Sequence, residues 1–377
     1  MRFADIVTRV KALTNVSSQD DLIKDSIRMG LDRATGQDLP YLMTDGFITT
    51  VAPYETGTVD VTNNSATVTG NGTTWTSAMV GRKIRVAGEN AYYRIKTVGS
   101  TTSITLEVPY QGTTKTLALT TNPTYSIYKD EYKLPADCDT YKILRQIENA
   151  RSMISLEATA FDIVEPAPEA TGSPSFEIMI GTRLDVYTTG TISGTIDTSV
   201  ITGVGTAWTS VEGLGKGSKI TIGSYVYTVK SVDTALQITI YETQVVTSAA
   251  LTTYSLSLDN MILQFFNIPD AIENIYFRYQ RTAFPLINDQ DVPDLPDKYH
   301  WILVHAGSIW AWLTKDKARS DIEQTIFEAA IQQMWRRIGY PSVSRVYPRI
   351  SQDDIMRREG MGGSGTMPEG YSFPIKI

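Results

Sequence analysis

The chain has 377 residues, 34 basic against 41 acidic side chains, a net charge of −7 and 42% hydrophobic residues. That length predicts two or three domains, and the acidic balance argues against a broad basic surface that grips nucleic acid. A single cysteine, Cys138, excludes a disulfide framework or a cysteine-based zinc cluster, and two histidines, His300 and His305, leave little for imidazole chemistry.

Residues 1–45 read as a helical hairpin. Phe3, Ile6, Val7, Val10 and Leu13 recur at helical spacing on one face. Asn15 suits a helix stop, and Ser18 with Asp21 forms a capping box with Asp in place of Glu. Ile23, Ile27, Leu31 and Ala34 give a second stripe that closes near Gly36. The start, Met-Arg-Phe-Ala-Asp-Ile, lacks the apolar core of a signal peptide, and no apolar run approaches the roughly 20 residues of a spanning helix, so no membrane anchor is expected.

From residue 46 the period changes to 2, which predicts strands. Segments 46–56 and 129–189 read as the first part of a β core, and 256–295 as its second part. Two copies of one module, 57–128 and 190–255, interrupt it. Gly57–Ser77 reads GTVDVTNNSATVTGNGTTWTS, and Gly190–Ser210 reads GTISGTIDTSVITGVGTAWTS. Farther on, Tyr93, Lys96, Val98, Ile104 and Thr105 return as Tyr227, Lys230, Val232, Ile238 and Thr239, and Pro135 returns as Pro269. Ile84 with Val86, Ile104 with Leu106 and Val108, Ile220 with Ile222, and Ile238 with Ile240 alternate as strands do. The Gly-x-Gly before Thr-x-Trp allows positive φ in a tight turn, so that Trp75 and Trp208 close one end of a small barrel or sandwich.

Between the modules, Tyr132–Leu144 predicts a strand, a Leu-Pro turn and a strand. Ile147–Ala158 is weakly helical, Glu165–Pro174 reads as a linker, and Phe176–Tyr187 as a strand pair. Leu263–Pro269 and Ile275–Gln280 repeat strand, proline turn, strand. The simplest topology is a core sheet with a module inserted into a hairpin twice.

Helical period returns over 296–339. Asp294 caps the first helix and Pro296 opens its first turn. Tyr299, Ile302, Leu303, Ala306, Ile309, Trp310 and Leu313 share a broad face. After Lys315-Asp316-Lys317, a second stripe holds Ile322, Ile326, Ala330, Met334 and Ile338, flanked by Phe327 and Trp335, and Gly339-Tyr340-Pro341 stops it. This hairpin is expected to pack on the first, joining both chain termini in one bundle. Exposed tryptophan there suits a subunit interface, for which Trp310, Trp312, Trp335, Arg336 and Arg337 are the candidates. Residues 340–377 show no period, and they carry four prolines and the run Gly360-Met-Gly-Gly-Ser-Gly365. A segment of that texture reads as an extended arm that orders against a partner.

Tyr276-Phe-Arg-Tyr-Gln-Arg281, Leu286–Asp291, Pro293-Asp-Leu-Pro-Asp-Lys-Tyr-His300 and the Ala-rich helix pair after them resemble the head-to-tail adaptor, or head-completion, proteins of tailed bacteriophages. The N-terminal hairpin and Thr171-Gly-Ser-Pro174, ahead of Leu184–Tyr187, fit the same pattern, and the Gly-Thr-x-Trp-Thr-Ser modules look like β modules of phage tail proteins. The resemblance covers most of the chain, and it rests on order and texture. It implies an α+β fold: a helical bundle from both termini, a central antiparallel β core, two inserted small β-barrel or sandwich modules, and the arm. It also implies a structural virion protein at the head–tail interface, assembled in the host cytoplasm, with no enzymatic activity and no cofactor. A ring of about a dozen copies would join the portal to the tail tube or nozzle and pass genomic DNA without specific binding. The arm would dock on the portal through Tyr340, Arg345, Tyr347, Arg349, Arg357, Arg358, Tyr371 and Phe373. The modules would touch tail tube or tail fibres. Large inserts of this kind depart from a minimal adaptor.

Rival readings are a carbohydrate- or receptor-binding tail protein with Trp75 and Trp208 as aromatic platforms, and a cell-wall-degrading tail enzyme. His300 and His305, about 140° apart on a helix, are badly placed to chelate one metal. Asp289, Asp291, Asp294 and Asp297 form an acidic cluster better explained by caps and solvated carboxylates than by a cation. Gly70-Asn-Gly72 and Gly203-Val-Gly205 lack the Gly-Lys-Ser/Thr of a phosphate loop.

Overall fold

In the computed structural model the described residues are 1–16, 19–116, 123–146, 151–164, 170–194, 197–244, 248–313 and 315–338. The expected arm, 340–377, with all of its candidate portal contacts, lies outside them, as does Ser18 of the expected capping box.

The first two helices are α1 (Phe3–Thr14) and α2 (Asp20–Thr35). Asn15 ends α1 in the left-handed region and Gly36 caps α2, as read from sequence, while Gln19 rather than a serine occupies the N-cap of α2. Strand β1 (Met43–Thr49) follows, then β2 (Thr58–Asp60), β3 (Thr67–Asn71), β4 (Lys83–Val86), β5 (Tyr92–Ser100), β6 (Ser103–Leu106) and β7 (Tyr125–Tyr128). The middle stretch holds β8 (Glu131–Lys133), β9 (Cys138–Tyr141), β10 (Arg145–Gln146), β11 (Arg151–Ser152), β12 (Ile154–Leu156), α3 (Ala158–Val164) and β13 (Phe176–Tyr187). Next come β14 (Thr191–Gly194), β15 (Val200–Val204), β16 (Lys219–Ile222), β17 (Tyr225–Thr234), β18 (Gln237–Ile240), β19 (Ser248–Thr252), β20 (Tyr254–Phe266) and β21 (Asn274–Arg281). Helices α4 (His300–Leu313) and α5 (Lys317–Ile338) end the described chain. The fold is therefore mixed α+β. No helix among the described residues is long and apolar enough to cross a membrane.

Three sheets form. One runs β1-β21-β10-β11, with β9 also on β21. A six-stranded sheet, β2-β3-β6-β5-β4-β7, contains the first repeat alone. The third has ten strands, β12-β13-β20-β16-β17-β18-β15-β14-β19, with β8 also on β20. Pairing between the named strands is antiparallel except between β12 and β13, and the isolated bridge Thr171–Ile268 is also parallel. Each strand path is open among the described residues, so of the expected barrel or sandwich no closed barrel forms there.

Several local expectations are corrected. Phe176–Tyr187 is one strand with an irregularity at Met179/Gly181, not a strand pair, because β20 runs unbroken beside it and supplies a partner along its length. Of the weak helix expected over Ile147–Ala158, residues 147–150 lie outside the described ones, and from Arg151 the chain forms the short strands β11 and β12, with a helix starting only at Ala158. Asp294 does not cap α4. It forms a two-pronged ion pair with Arg281, and a 3-10 turn over Asp297–Tyr299 leads into α4 instead. Val108 lies beyond the end of β6 and is exposed, whereas Ile104 and Leu106 are buried.

Both terminal helix pairs share one apolar core. Phe3, Ile6, Val10, Ile23, Ile27 and Leu31 pack with Ile302, Leu303, Ala306, Phe327, Ile331 and Met334. Separate cores fill the two repeats, around Trp75 and around Trp208, and a further one joins Tyr132, Leu134, Leu263, Phe265 and Phe277 in the middle.

Candidate assembly surfaces

The repeats are duplicated down to single hydrogen bonds. Trp75 Nε1 donates to the Tyr125 hydroxyl at 2.9 Å, which donates to the Thr56 carbonyl at 2.7 Å. Trp208 Nε1 donates to the Tyr254 hydroxyl at 2.9 Å, which donates to the Thr189 carbonyl at 2.7 Å. The two ring pairs meet edge-on, at 5.9 and 5.8 Å. Within the Gly-x-Gly, only the second glycine takes positive φ, +70° at Gly72 and +68° at Gly205. The first glycine clears space for the indole: a Cβ on Gly70 or Gly203 would lie 2.8 or 2.9 Å from the tryptophan ring. Trp75 is 2% exposed and Trp208 1%. An aromatic platform for a sugar needs an open ring face, so these two indoles do not provide one.

A second built feature ties the first repeat to the middle of the molecule. Lys83 of β4 reaches Asp130 at 2.7 Å and Glu131 at 3.2 Å. Arg94 of β5 grips both Glu131 oxygens, at 2.6 and 2.8 Å, and Arg183 of β13 reaches Glu131 at 3.1 Å. Gln264 of β20 donates to Asp130, and Lys133 pairs with Asp185 at 2.6 Å. Burial opposes the charge on Glu131, but the Arg94 hydrogen bond and the Lys83 charge outweigh it and hold the carboxyl at about 2. Opposite charges at this spacing, largely out of water, fix orientation more than they add stability. The network is a joint.

The helical bundle carries the candidate subunit interface. Helix α4 sits in its centre, covered by α1, α2 and α5. Close approach depends on Gly307, where a Cβ would lie 2.8 Å from Val10 and 3.0 Å from Ile27, and on Ser26, whose hydroxyl donates to the Ala306 carbonyl at 2.6 Å. Of the candidates, Trp310 is exposed. Trp312 is half-buried beneath the Arg319 guanidinium, 4.7 Å from its ring. Trp335 is half-buried and donates to the Ala34 carbonyl at 2.9 Å, so it anchors α5 to α2. Arg336 and Arg337 are exposed in the last turn of α5. The structure thus leaves Trp310 as the open ring of the three.

Trp301 was not singled out by the sequence reading and is also exposed. It stands edge-on to His305 at 5.4 Å, and His305 bonds Glu323 of α5 at 2.6 Å. This side of α4 therefore faces α5, whose Ile322 and Ile326 are exposed rather than buried as expected. The α5 seam is instead Ser320, Phe327, Ala330, Ile331 and Met334. Trp310 is nine positions from Trp301, about 180° around a helix. The nearby Leu313 is exposed as well. Two exposed tryptophans therefore lie on opposite sides of one helix, a spacing legible in the sequence once the covered face of α4 is known.

The remaining candidates are distributed among separate partners. His300 is buried, and its Nε2–H donates to the Leu295 carbonyl at 2.8 Å. Asp289 pairs with Lys24, and Asp291 accepts from the backbone of Ile287 and Asn288. Asp294 pairs with Arg281, and Asp297 is exposed. Among the described residues no cluster of three or more acidic, histidine or cysteine side chains is placed to hold a metal. Cys138 is buried on β9, and burial with Asp137 and Asp139 pushes its thiol up to about 12, which makes it inert as a nucleophile.

Comparison with family models and with curated proteins returns no match. Among solved structures, the chain is weakly similar to translation elongation factor SelB of Methanococcus maripaludis in its apo form, at 10% identity and a TM-score of 0.15, over 59% of this chain and 63% of that one. So low a TM-score supports no conclusion about fold or function.

Proposed function

We propose that this chain is a structural virion protein, a head-to-tail adaptor whose copies form a ring between the portal and the tail of a tailed bacteriophage. The observation that carries the reading is the pair of exposed tryptophans, Trp301 and Trp310, on opposite sides of α4. A closed ring is heterologous: each copy offers one surface to the neighbour on one side and a different surface to the other. Buried tryptophan with aliphatic neighbours is the composition such contacts favour. The order of segments that resembles phage adaptors adds to this. About a dozen copies would extend the DNA channel, and at −7 each they would disfavour sticking of the DNA backbone.

On this reading the two repeats are small sandwich modules inserted in the core, held off the ring to meet tail-tube or tail-fibre proteins. Segment 340–377 is the arm that docks on the portal. The test is particle mass, measured for the full chain alone and with the purified portal of the same virion. A ring on the portal is expected. Trp310→Glu and Trp301→Glu, one on each side of α4, should each abolish the ring while leaving the circular dichroism spectrum unchanged. A chain that stays solitary on portals would overturn the proposal.

A further inference from the structure

Strand β13 leaves one edge open. Phe176–Ile178 pairs with β12, but from Met179 to Tyr187 the described strands pair β13 only with β20. The irregularity at Met179/Gly181 breaks the edge, so its regular stretch runs from Thr182. Thr182, Leu184 and Val186 share the outer face and are exposed, Leu184 by 63%. Across from them β20 adds Met261, Asp259 and Ser257. Arg183 and Asp185 lie on the other face, where Glu131 and Lys133 hold them with more than a third of each side chain still open to solvent. A long open edge with apolar side chains is a template for another strand.

The charge order selects that strand. Suppose a second copy of β13 runs antiparallel, with Leu184 facing Leu184. Arg183 of each copy then faces Asp185 of the other, and Thr182 faces Val186. Sliding by two residues in one direction sets Arg183 against Arg183, and in the other direction Asp185 against Asp185. Sliding by one residue puts the apolar side chains on opposite faces of the joined sheet. Opposite charges across a strand pair stabilise it and like charges destabilise it, so a single register is favoured.

We propose that this edge is a self-association surface: two copies of the chain pair through β13, antiparallel about a two-fold axis at Leu184, joining their ten-stranded sheets. A two-fold contact closes on itself and does not build a ring. It is therefore independent of the exposed tryptophans on α4, and either surface can be lost without the other.

The test uses the full-length chain. Sedimentation velocity should show a monomer–dimer equilibrium at concentrations up to about 100 µM, in the range of a small interface. Leu184→Lys, at an exposed position, should return the protein to monomer. Mild oxidation of Leu184→Cys should give a disulfide-linked dimer, because facing residues in an antiparallel pair lie about 4.5–5.5 Å apart at Cα. Thr182→Cys alone should not cross-link, whereas a mixture of Thr182→Cys and Val186→Cys should. Cys138 is buried and does not compete. A wild-type protein that remains monomeric, a Leu184→Lys variant that still dimerises, or Thr182→Cys cross-linking as fast as Leu184→Cys would each overturn the proposal. Should Leu184→Lys misfold, the cysteine pairs decide alone.

Discussion

Glu177 of β13 is 1% exposed, and neither carboxylate oxygen has a hydrogen-bond partner of good geometry. Burial pushes the carboxyl up to about 7, only partly offset by the nearby Tyr141 hydroxyl. The fold accepts the protonated form. Its contribution to stability is therefore fully present below the ordinary carboxyl value of 4.5 and is lost as pH rises through about 7. The loss is on the order of 3 kcal/mol. Glu177→Gln supplies a neutral side chain of the same shape, so its thermal midpoint should stay level between about pH 5 and 8, where the wild-type midpoint falls. Glu131 works in the opposite sense. With its carboxyl held at about 2, its stabilisation is present above 4.5 and is lost as pH falls toward 2. Glu131→Gln should cost roughly 3–5 kcal/mol in denaturant titrations at neutral pH, because Lys83, Arg94 and Arg183 lose their shared counter-charge, and much less near pH 2.

At the scale of elements, helix contact decides what a helix tolerates. Alanine is a better helix former than glycine by about 1 kcal/mol. At Gly307, however, the added methyl meets Val10 at 2.8 Å and Ile27 at 3.0 Å inside a packed seam. Gly307→Ala should therefore destabilise the protein by about 1–3 kcal/mol, read as a lower thermal midpoint, whereas Gly215→Ala, with nothing within 4 Å, should leave it unchanged. The same packing explains what could be read in advance. The stripes Phe3–Val10 and Ile23–Ala34 are buried as their spacing implies, because each of those helices has one covered side. Leu13 falls off the covered side and Thr14 takes the buried place. Helix α5 meets both α2 and α4, so the residue that faces a neighbour is set by the crossing rather than by the period, and Ile322 and Ile326 end up outside. Strands of two or three residues, such as β11 and β12, are too short to show any period. Trp310 and Trp312, two positions apart, point to different faces, but that Trp310 and Leu313 leave the apolar face and that Trp301 is open became visible only when the covered side of α4 was known.

Over the whole molecule, the two repeats match in sequence and in their tryptophan–tyrosine bonds, but they are attached differently. The first has a sheet and an apolar core of its own, and meets the rest through the short link to β8 and the Lys83–Asp130–Glu131–Arg94 joint. The second shares its sheet with the middle of the molecule through β20, which pairs with β16 at Tyr254–Ser257 and continues beside β13 and β8. The boundary expected at 255/256 therefore falls inside one strand. Sequence similarity could not show this, because alternation runs straight across the boundary, from Tyr254 to Ile262. Excision should reveal the asymmetry. Replacing residues 57–128 by a short glycine linker removes a unit with its own sheet and core, β7 included, and the remainder should still unfold in one cooperative step, weakened only by the partners that Glu131 loses. Replacing residues 190–253 strips β16 from β20 and uncovers Leu256, so that chain should aggregate or lose its sharp transition. Calorimetry of the two deletions decides the matter: equal behaviour would mean that the shared strand does not couple the second repeat to the core.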